Sequence, residues 1–557
     1  MTALEQHRRP WIANYPVGVP ADVDTARYQS LNQLFDESFA KYADEPAYVC
    51  MGRTMTYGEW DRLSNALAAW LQSKGLKHGD RVAIMMPNLL QYPVAVAAVL
   101  RAGLIAVNVN PLYTARELEH QLKDSGVIAI MVLETFAHTL AQVIANTAVV
   151  HVVVTAAGDM LGAVKEAAPT EGLPDAERFP VALAQGEKMK LAPPAVGPDD
   201  VAVLQYTGGT TGISKGATLL HKSIIAALLA SEAWTYPGLQ RKKLEGQITI
   251  VCALPLYHVF AFITCMLLGM RLGGVNILIP NPRDMDGFVA ELGKHRVHVF
   301  PAVNTLFAGM ASHPGFAKLD FSQLVISNGG GMAVQEAVAK KWLAITGCPI
   351  AEGYGLSETC AGVTCNRTDT DAYTGTIGLP MPGVEIRILD DDERDVPTGE
   401  RGEIAIRGPQ VMQGYWQRDD ETAKVMTPDG YFKSGDIGIM DEQGYIRIVD
   451  RKKDMILVSG FNVYPTEIEG VVASHPGVRE CAVIGVPDKN SGEAVMLFVV
   501  KADASLDEKQ LAAYCAENLT GYKKPRHIKF RDELPKTNVG KILRRELRDE
   551  VMKTMSV

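Results

Sequence analysis

A chain of 557 residues is too long for one hydrophobic core and divides into several structural units. Hydrophobic residues make up 47% and charged residues 21%, ordinary globular proportions that exclude disordered and fibrous classes. The net charge of −9 argues against a general nucleic-acid binder, although the segment from Gly521 onward is basic, with eleven Lys and Arg against five Asp and Glu. The eight cysteines are dispersed without zinc-like spacing, several of them in apolar runs, which suits a reducing cytosol. Met1 to Pro20 holds no apolar export stretch, so a cytoplasmic location is expected.

In chain order, helical patterns at 57–74, 92–102 and 115–125 alternate with β-rich runs at 81–86, 128–133 and 149–155. A strand at 201–204 then feeds Tyr206-Thr207-Gly208-Gly209-Thr210-Thr211-Gly212-Ile213-Ser214-Lys215-Gly216, and a helix at 223–231 follows. Glycines let the backbone approach an anion, hydroxyls and amides donate to it, and Lys215 adds charge, a combination suited to a polyphosphate. Ser214 rather than Gly precedes the lysine, so this is not the usual nucleotide loop. Gly212 to Gly216 also matches a Gly-x-Ser-x-Gly nucleophile elbow, the basis of a rival serine-esterase reading. Against it, Thr207 to Thr211 separate Ser214 from the strand, and no acid–histidine pair stands out.

Further on, 251–270 lacks Asp, Glu, Lys and Arg. Pro255, Tyr257, His258 and Thr264 interrupt it, so a buried strand, a loop and a buried helix are expected rather than a membrane span. Strands at 275–279, 297–301 and 324–328 lead to Gly329-Gly330-Gly331, whose backbone can pass against a flat base, and a helix at 334–346 follows. Glu352-Gly353-Tyr354-Gly355-Leu356-Ser357-Glu358-Thr359 forms a second polar glycine-rich turn, with an aromatic plane for stacking and carboxylates for a metal.

Beyond Gly375 the pattern changes to short alternating strands (385–389, 402–407, 445–449), the expected signature of a small antiparallel sheet or barrel. The charged run Asp450 to Asp454 reads as a linker, and helix, strand, strand, helix at 465–474, 480–486, 495–500 and 506–519 suffice for a small α+β domain. The expected fold is therefore α/β. A large N-terminal domain of mainly parallel α/β layers, 1–451, includes a β-barrel-like subdomain at 375–450, and a small domain occupies 452–557.

The threonine–glycine loop resembles the signature of the adenylate-forming enzymes, which include acyl-CoA synthetases, luciferases and peptide-synthetase adenylation domains. Tyr354 to Thr359, Tyr431-Phe432-Lys433-Ser434-Gly435-Asp436, Asp450 to Asp454 and Pro535-Lys536-Thr537-Asn538-Val539-Gly540-Lys541 match the same family in order. The runs Met86 to Pro93, Asn108 to Tyr113 and Ile456 to Pro465 are similar to bacterial long-chain-fatty-acid–CoA ligases.

The resemblance implies ATP, Mg²⁺ and CoA as cofactor and co-substrates, with a fatty acid as the acyl donor. It gives Thr207 to Gly216 to the phosphates, with Thr211 among the catalytic donors, and Glu358 and Thr207 to the metal. Gly329 to Gly331 and Glu352 to Gly355 with Ser357 frame the nucleotide. Asp436 takes the ribose hydroxyls with support from Arg451, and Lys541 reaches the α-phosphate and carboxylate. It further implies a mobile small domain with its hinge at Lys453, CoA passing Ser459, Gly460 and Phe461, and an acyl pocket at Tyr257, His258, Phe262 and Val303. Phe461 departs from the family, many members of which carry a second glycine there. Medium-chain or aryl acids, and a fatty-acid binding protein without catalysis, are alternative readings. Peripheral contact with the inner membrane and a homodimer are both compatible with the sequence.

Overall fold

The computed structural model describes residues 9–162, 172–173, 175–207, 214–459, 461–489, 491–537, 540 and 542–555. Two large sheets dominate. One has seven strands in the spatial order Glu177–Arg178, His151–Thr155, Ala129–Leu133, Arg81–Met85, Ile105–Asn108, Val201–Thr207 and Lys215–Leu220. All its neighbours are parallel except the last pair. The other has nine strands, and its centre (Thr249–Cys252, Val275–Leu278, Val299–Ala302, Ile326–Gly329, Ile350–Leu356) is parallel. Pro46–Cys50 and Arg53–Thr56 close one edge, so an N-terminal hairpin completes a sheet built mostly 200 or more residues later.

Helices fill the space between and around these sheets. Gln91–Arg101 is buried at every position from Gln91 to Leu100, and His221–Leu239 touches strands of both sheets, which explains why neither carries a polar stripe. Ala115–Ser125 is framed by local chemistry instead: a Thr114–Glu117 capping box starts it, and Gly126 at φ 63° ends it. The uncharged 251–270 stretch is a strand, a loop and a helix with a π-type turn at Phe262–Leu267, as expected. Among the described residues no helix is long and apolar enough to cross a membrane.

A buried polar chain fixes the loop between them. Asn88 Nδ2 donates to the carbonyls of Cys252 (2.9 Å) and Leu254 (2.8 Å), and the Tyr92 hydroxyl donates to Asn108 Oδ1 at 2.6 Å. Asn108 Nδ2 donates to Gln205 Oε1, and Gln205 Nε2 to the Tyr257 carbonyl, each at 3.1 Å. The strand that leads into the phosphate loop is thereby tied to the 255–258 segment across the two sheets.

The antiparallel sheet expected beyond residue 375 is present as Glu385–Leu389, Arg401–Arg407, Phe432–Met440 and Ile446–Arg451, paired in that order. Its path is open rather than closed into a barrel among the described residues. Residues beyond 456 build two cores of their own, one around Ile468, Leu497 and Leu511, the other around Ile484, Phe498 and Leu547. That part also contains the parallel strand His527–Arg531 and the helix Arg544–Met555, additional to the four elements expected.

One expectation is corrected here. The phosphate loop does not join a strand to a helix: Lys215–Leu220 is a second strand, antiparallel to Val201–Thr207, and the helix begins only at His221. The loop is thus the tip of a β-hairpin, an arrangement that fits neither a nucleophile elbow nor the standard strand–loop–helix phosphate loop.

Close backbone approach in the second glycine turn gives a direct test of this packing. A Cβ at Gly355 would lie 1.7 Å from the Ala361 carbonyl oxygen, a backbone atom with no room to yield. Gly355→Ala is expected to cost about 3 kcal/mol or more, read as a lowered midpoint of thermal unfolding by circular dichroism. A midpoint equal to that of the parent would contradict the Ile350–Leu356/Ala361–Cys365 pairing.

Candidate active site

At the base of the hairpin Thr207 pairs with Lys215, and the Ser214 hydroxyl donates to the Thr207 carbonyl at 2.8 Å. Gly208, Gly209, Thr210, Thr211, Gly212 and Ile213 lie outside the described residues. Tyr206 braces the hairpin from behind: its hydroxyl donates to Asp124 Oδ2 at 2.8 Å, and its ring lies 3.0 Å from where a Gly216 Cβ would be. His120 Nε2 meets the Ser214 carbonyl at 2.8 Å, not its hydroxyl, so the only histidine–Ser214 contact found is not that of a nucleophile and its base among the described residues.

A segment that the sequence reading passed over completes this region. Residues 412–416 run along the outer edge of Lys215–Leu220, with Thr218 N–H donating to the Gly414 carbonyl (2.9 Å), Gln413 N–H to the Thr218 carbonyl (3.0 Å) and Trp416 N–H to the Gly216 carbonyl (2.7 Å). Met412 N–H donates to the Glu358 carbonyl at 2.7 Å. The Tyr415 hydroxyl donates to Glu358 Oε1 at 2.9 Å, while Lys215 Nζ stands 4.6 Å from the centre of the Tyr415 ring and pairs with Glu421 Oε2 at 2.5 Å. Lys215 holds the Glu421 carboxyl down at about 2, whereas burial raises that of Glu358, which is 9% exposed. Glu358 precedes a sharp turn: after Thr359, Cys360 and Ala361 adopt φ of 49° and 80°, uncommon for residues other than glycine.

Tyr354 and Asp436 meet directly, the phenol donating to Asp436 Oδ2 at 2.6 Å, and Arg451 Nε lies 3.2 Å from Asp436 Oδ1 from the paired strand. Asp436 is 4% exposed, and these two partners engage both of its carboxylate oxygens. Burial and the adjoining carboxylate push the Tyr354 phenol well above its usual value. The expected stacking plane is therefore also a donor to the ribose candidate. Glycines 329–331 sit opposite: a Cβ on Gly330 would be 3.1 Å from the Phe260 ring and 3.5 Å from the Gly353 carbonyl, and one on Gly331 would be 3.4 Å from Val303.

Around the acyl candidates, Tyr257 and His258 are half-buried, and His258 Nδ1 accepts from Phe260 N–H at 3.3 Å. Phe262, expected at the gate, is 1% exposed and packed in the large core; the half-buried aromatic of the turn is Phe260, against Gly330. Val303 faces both Gly331 and Gly540, and a Cβ on Gly540 would lie 2.5 Å from Thr305 Oγ1. Gly540 thus lies against Thr305 and Val303 of the large domain; Lys541 is outside the described residues, as is Gly460. Lys453 is exposed in the turn after Arg451. Ser459 has φ 52°, and the exposed Phe461 stacks on Tyr522 with centroids 4.7 Å apart.

Two contact sets result, Lys215 with Tyr415 and Glu358, and Tyr354 with Asp436 and Arg451, and the segment from Tyr354 to Glu358 belongs to both. The Glu358 carboxylate and the Thr207 hydroxyl are hard oxygen donors, a chemistry that fits a divalent cation such as Mg²⁺.

Residues 35–416 match the family described as AMP-binding enzyme, and 467–541 match the AMP-binding enzyme C-terminal domain. The chain is 52% identical over 556 residues, 98% of each chain, to a long-chain-fatty-acid–CoA ligase of Escherichia coli O6:H1. Among solved structures it resembles an anthranilate CoA ligase, AuaEII, in complex with anthranoyl-AMP (TM-score 0.85, 25% identity, 96% of this chain and 100% of that one). It also resembles ATP-bound MatB from Rhodopseudomonas palustris (TM-score 0.81, 28% identity, 93% and 98% covered).

Glu352 supplies a pH test of the site's interior. It is 7% exposed, and burial raises its carboxyl from 4.5 to about 8, against a smaller opposing effect of the Val334 N–H that donates to it. Its folded-state value exceeds the unfolded one, so its ionisation penalty removes stability progressively as pH rises from 4.5 to about 8. Glu352→Gln stays neutral throughout, so its unfolding midpoint relative to the parent is expected to rise between pH 5 and pH 8.5. A difference independent of pH would show that Glu352 is not held neutral.

Proposed function

The chain belongs to the AMP-binding enzyme family, and from that premise we propose that it is a long-chain fatty acid–CoA ligase that activates fatty acids for β-oxidation or lipid synthesis. The observation that carries this reading is that one short segment, Tyr354 to Glu358, meets Asp436 at one end and, through Tyr415, Lys215 of the hairpin at the other. A carboxylate is a poor electrophile because oxide is a poor leaving group. ATP removes that obstacle: a fatty-acid oxygen attacks the α-phosphorus, the bond to the bridging oxygen breaks, and pyrophosphate leaves acyl-adenylate behind. The thiol sulfur of CoA then attacks the acyl carbon, its proton passes to solvent, and AMP leaves.

The residues divide this work by their chemistry. Thr207 to Gly216 donate to the β- and γ-phosphates, and Asp436, ordered by Tyr354 and Arg451, accepts from the ribose hydroxyls. Gly329 to Gly331 and Glu352 to Gly355 give the adenine a close backbone surface. Glu358 and Thr207 hold Mg²⁺, which supplies charge neutralisation for the phosphates when bound. Lys541 meets the α-phosphate and the acyl carboxylate, a role supported by the docking of Gly540 on Val303 and Thr305. Tyr257, His258, Phe260 and Val303 line the acyl side, with Phe262 beneath them in the core.

The second half-reaction requires Lys541 to withdraw and CoA to enter past Ser459, Gly460 and Phe461. We assign that change to rotation of 452–557 on 1–451 about Lys453. The separate cores beyond residue 456 support it, since a unit with its own interior can turn as a body.

ATP–pyrophosphate exchange without CoA, over carboxylic acids from acetate to oleate, tests both mechanism and substrate. Exchange is expected to peak with the long chains and to fall to background in Lys541→Ala. A maximum with short or aromatic acids would overturn the substrate class, and no exchange with any acid would overturn adenylation.

A further inference from the structure

The mechanism above leaves Tyr415 and Glu421 without a role, yet they connect its two cationic elements. Tyr415 is 8% exposed and its backbone is clamped from both sides: it bridges Ala217 on the hairpin strand, and its N–H donates to Thr422 Oγ1 at 2.9 Å. So fixed, the ring presents its face to Lys215 Nζ at 4.6 Å and its hydroxyl to Glu358 Oε1 at 2.9 Å. Glu421 completes the set by pairing with Lys215 at 2.5 Å.

We propose that Tyr415 is a positioning residue that orients Glu358 toward the divalent cation, and that Glu421 is the counter-ion that keeps Lys215 in place at the hairpin until phosphate displaces it. This rests on the phosphate and metal assignments proposed above. A carboxylate can turn about its last bond, and burial makes an unsatisfied orientation costly. The phenol removes that freedom by engaging Oε1, so that Oε2 meets the cation. A phenol suits the task because it donates without adding charge, leaving the carboxylate's full charge for the metal. The ring face attracts the lysine ammonium, so one rigid side chain sets the relative position of metal ligand and phosphate cation. Glu421 stands on Asp419–Val425, at the end of the same 412–416 edge, so the counter-ion is carried by the segment that clamps Tyr415. An arriving phosphate offers Lys215 a denser anion than a single carboxylate, and the exchange of partners leaves the ammonium beside the ring throughout.

Titration calorimetry of the full-length chain with ATP, once with excess magnesium and once with EDTA, separates this role from a merely structural one. In Tyr415→Phe the ring and its contact with Lys215 remain. Affinity is expected to fall about 10-fold with magnesium and to stay within about twofold in EDTA. Equal loss in both conditions, or none in either, would overturn the positioning role. Glu421→Gln is expected to tighten metal-free ATP binding several-fold, because Lys215 no longer has a charged partner to leave; weaker or unchanged binding would overturn the counter-ion role. If the unmodified chain binds ATP equally well with and without magnesium, the metal assignment itself fails, and this inference with it.

Discussion

The hydrogen bond from Tyr354 to Asp436 joins parts of the molecule that share no strand pairing. Tyr354 stands on Ile350–Leu356, an inner strand of the nine-stranded sheet, and Asp436 belongs to the four-stranded antiparallel sheet. Arg451, the other partner of Asp436, is the last residue of that sheet before the chain turns toward the small domain. A buried carboxylate is tolerated only with such donors in place, and losing one partner of a buried charged pair typically costs about 3–5 kcal/mol. The candidate nucleotide site therefore includes one of the contacts between the two sheets, beside the backbone bonds that join Ile377 and Gly378 to Ile446.

The same economy extends outward. The Glu352–Thr359 turn carries both Tyr354, which meets Asp436, and Glu358, which meets Tyr415, so two carboxylate systems are set by one short segment. The strand that carries Gln205 feeds the hairpin while its amide holds the Tyr257 carbonyl, which links the proposed phosphate and acyl sides through the interior. The small domain reaches this surface through Gly540, whose absent side chain permits the approach to Thr305. On its other side Asp450, 2% exposed and raised to about 6 by burial, accepts from Thr466 N–H at 2.7 Å, so the boundary strand also contacts the first helix beyond it.

Local elements were largely legible in the residues. The helix at 115–125 carries its own capping box and terminal glycine, and the parallel strands are continuous apolar runs, so no distant information was needed. The second hairpin strand was not legible, because Lys215-Gly216-Ala217-Thr218 reads as a loop until Val201–Thr207 is available to pair with it. Nor could sequence disclose Tyr415: its importance comes from contacts with Glu358 and Ala217, 57 positions away in the first case, and an isolated Gly-Tyr-Trp run carries no sign of them. The surroundings of Phe262, the residue expected at the gate, were hidden for a related reason. Two aromatics two positions apart face different directions in a turn, and only packing shows that Phe262 belongs to the core. The site's motifs, by contrast, were recognisable individually, and what the structure adds is their contacts.

Asp436 is the proposed anchor of the nucleotide, held in place by Tyr354 and Arg451. Calorimetric titration of AMP into Asp436→Asn tests it most directly, since the amide oxygen can still accept from Tyr354 while the charge is gone. Affinity is expected to weaken by about 10- to 100-fold, the value of a charge-assisted hydrogen bond or two, with an unfolding midpoint that shows a folded chain. AMP binding equal to that of the parent would contradict it.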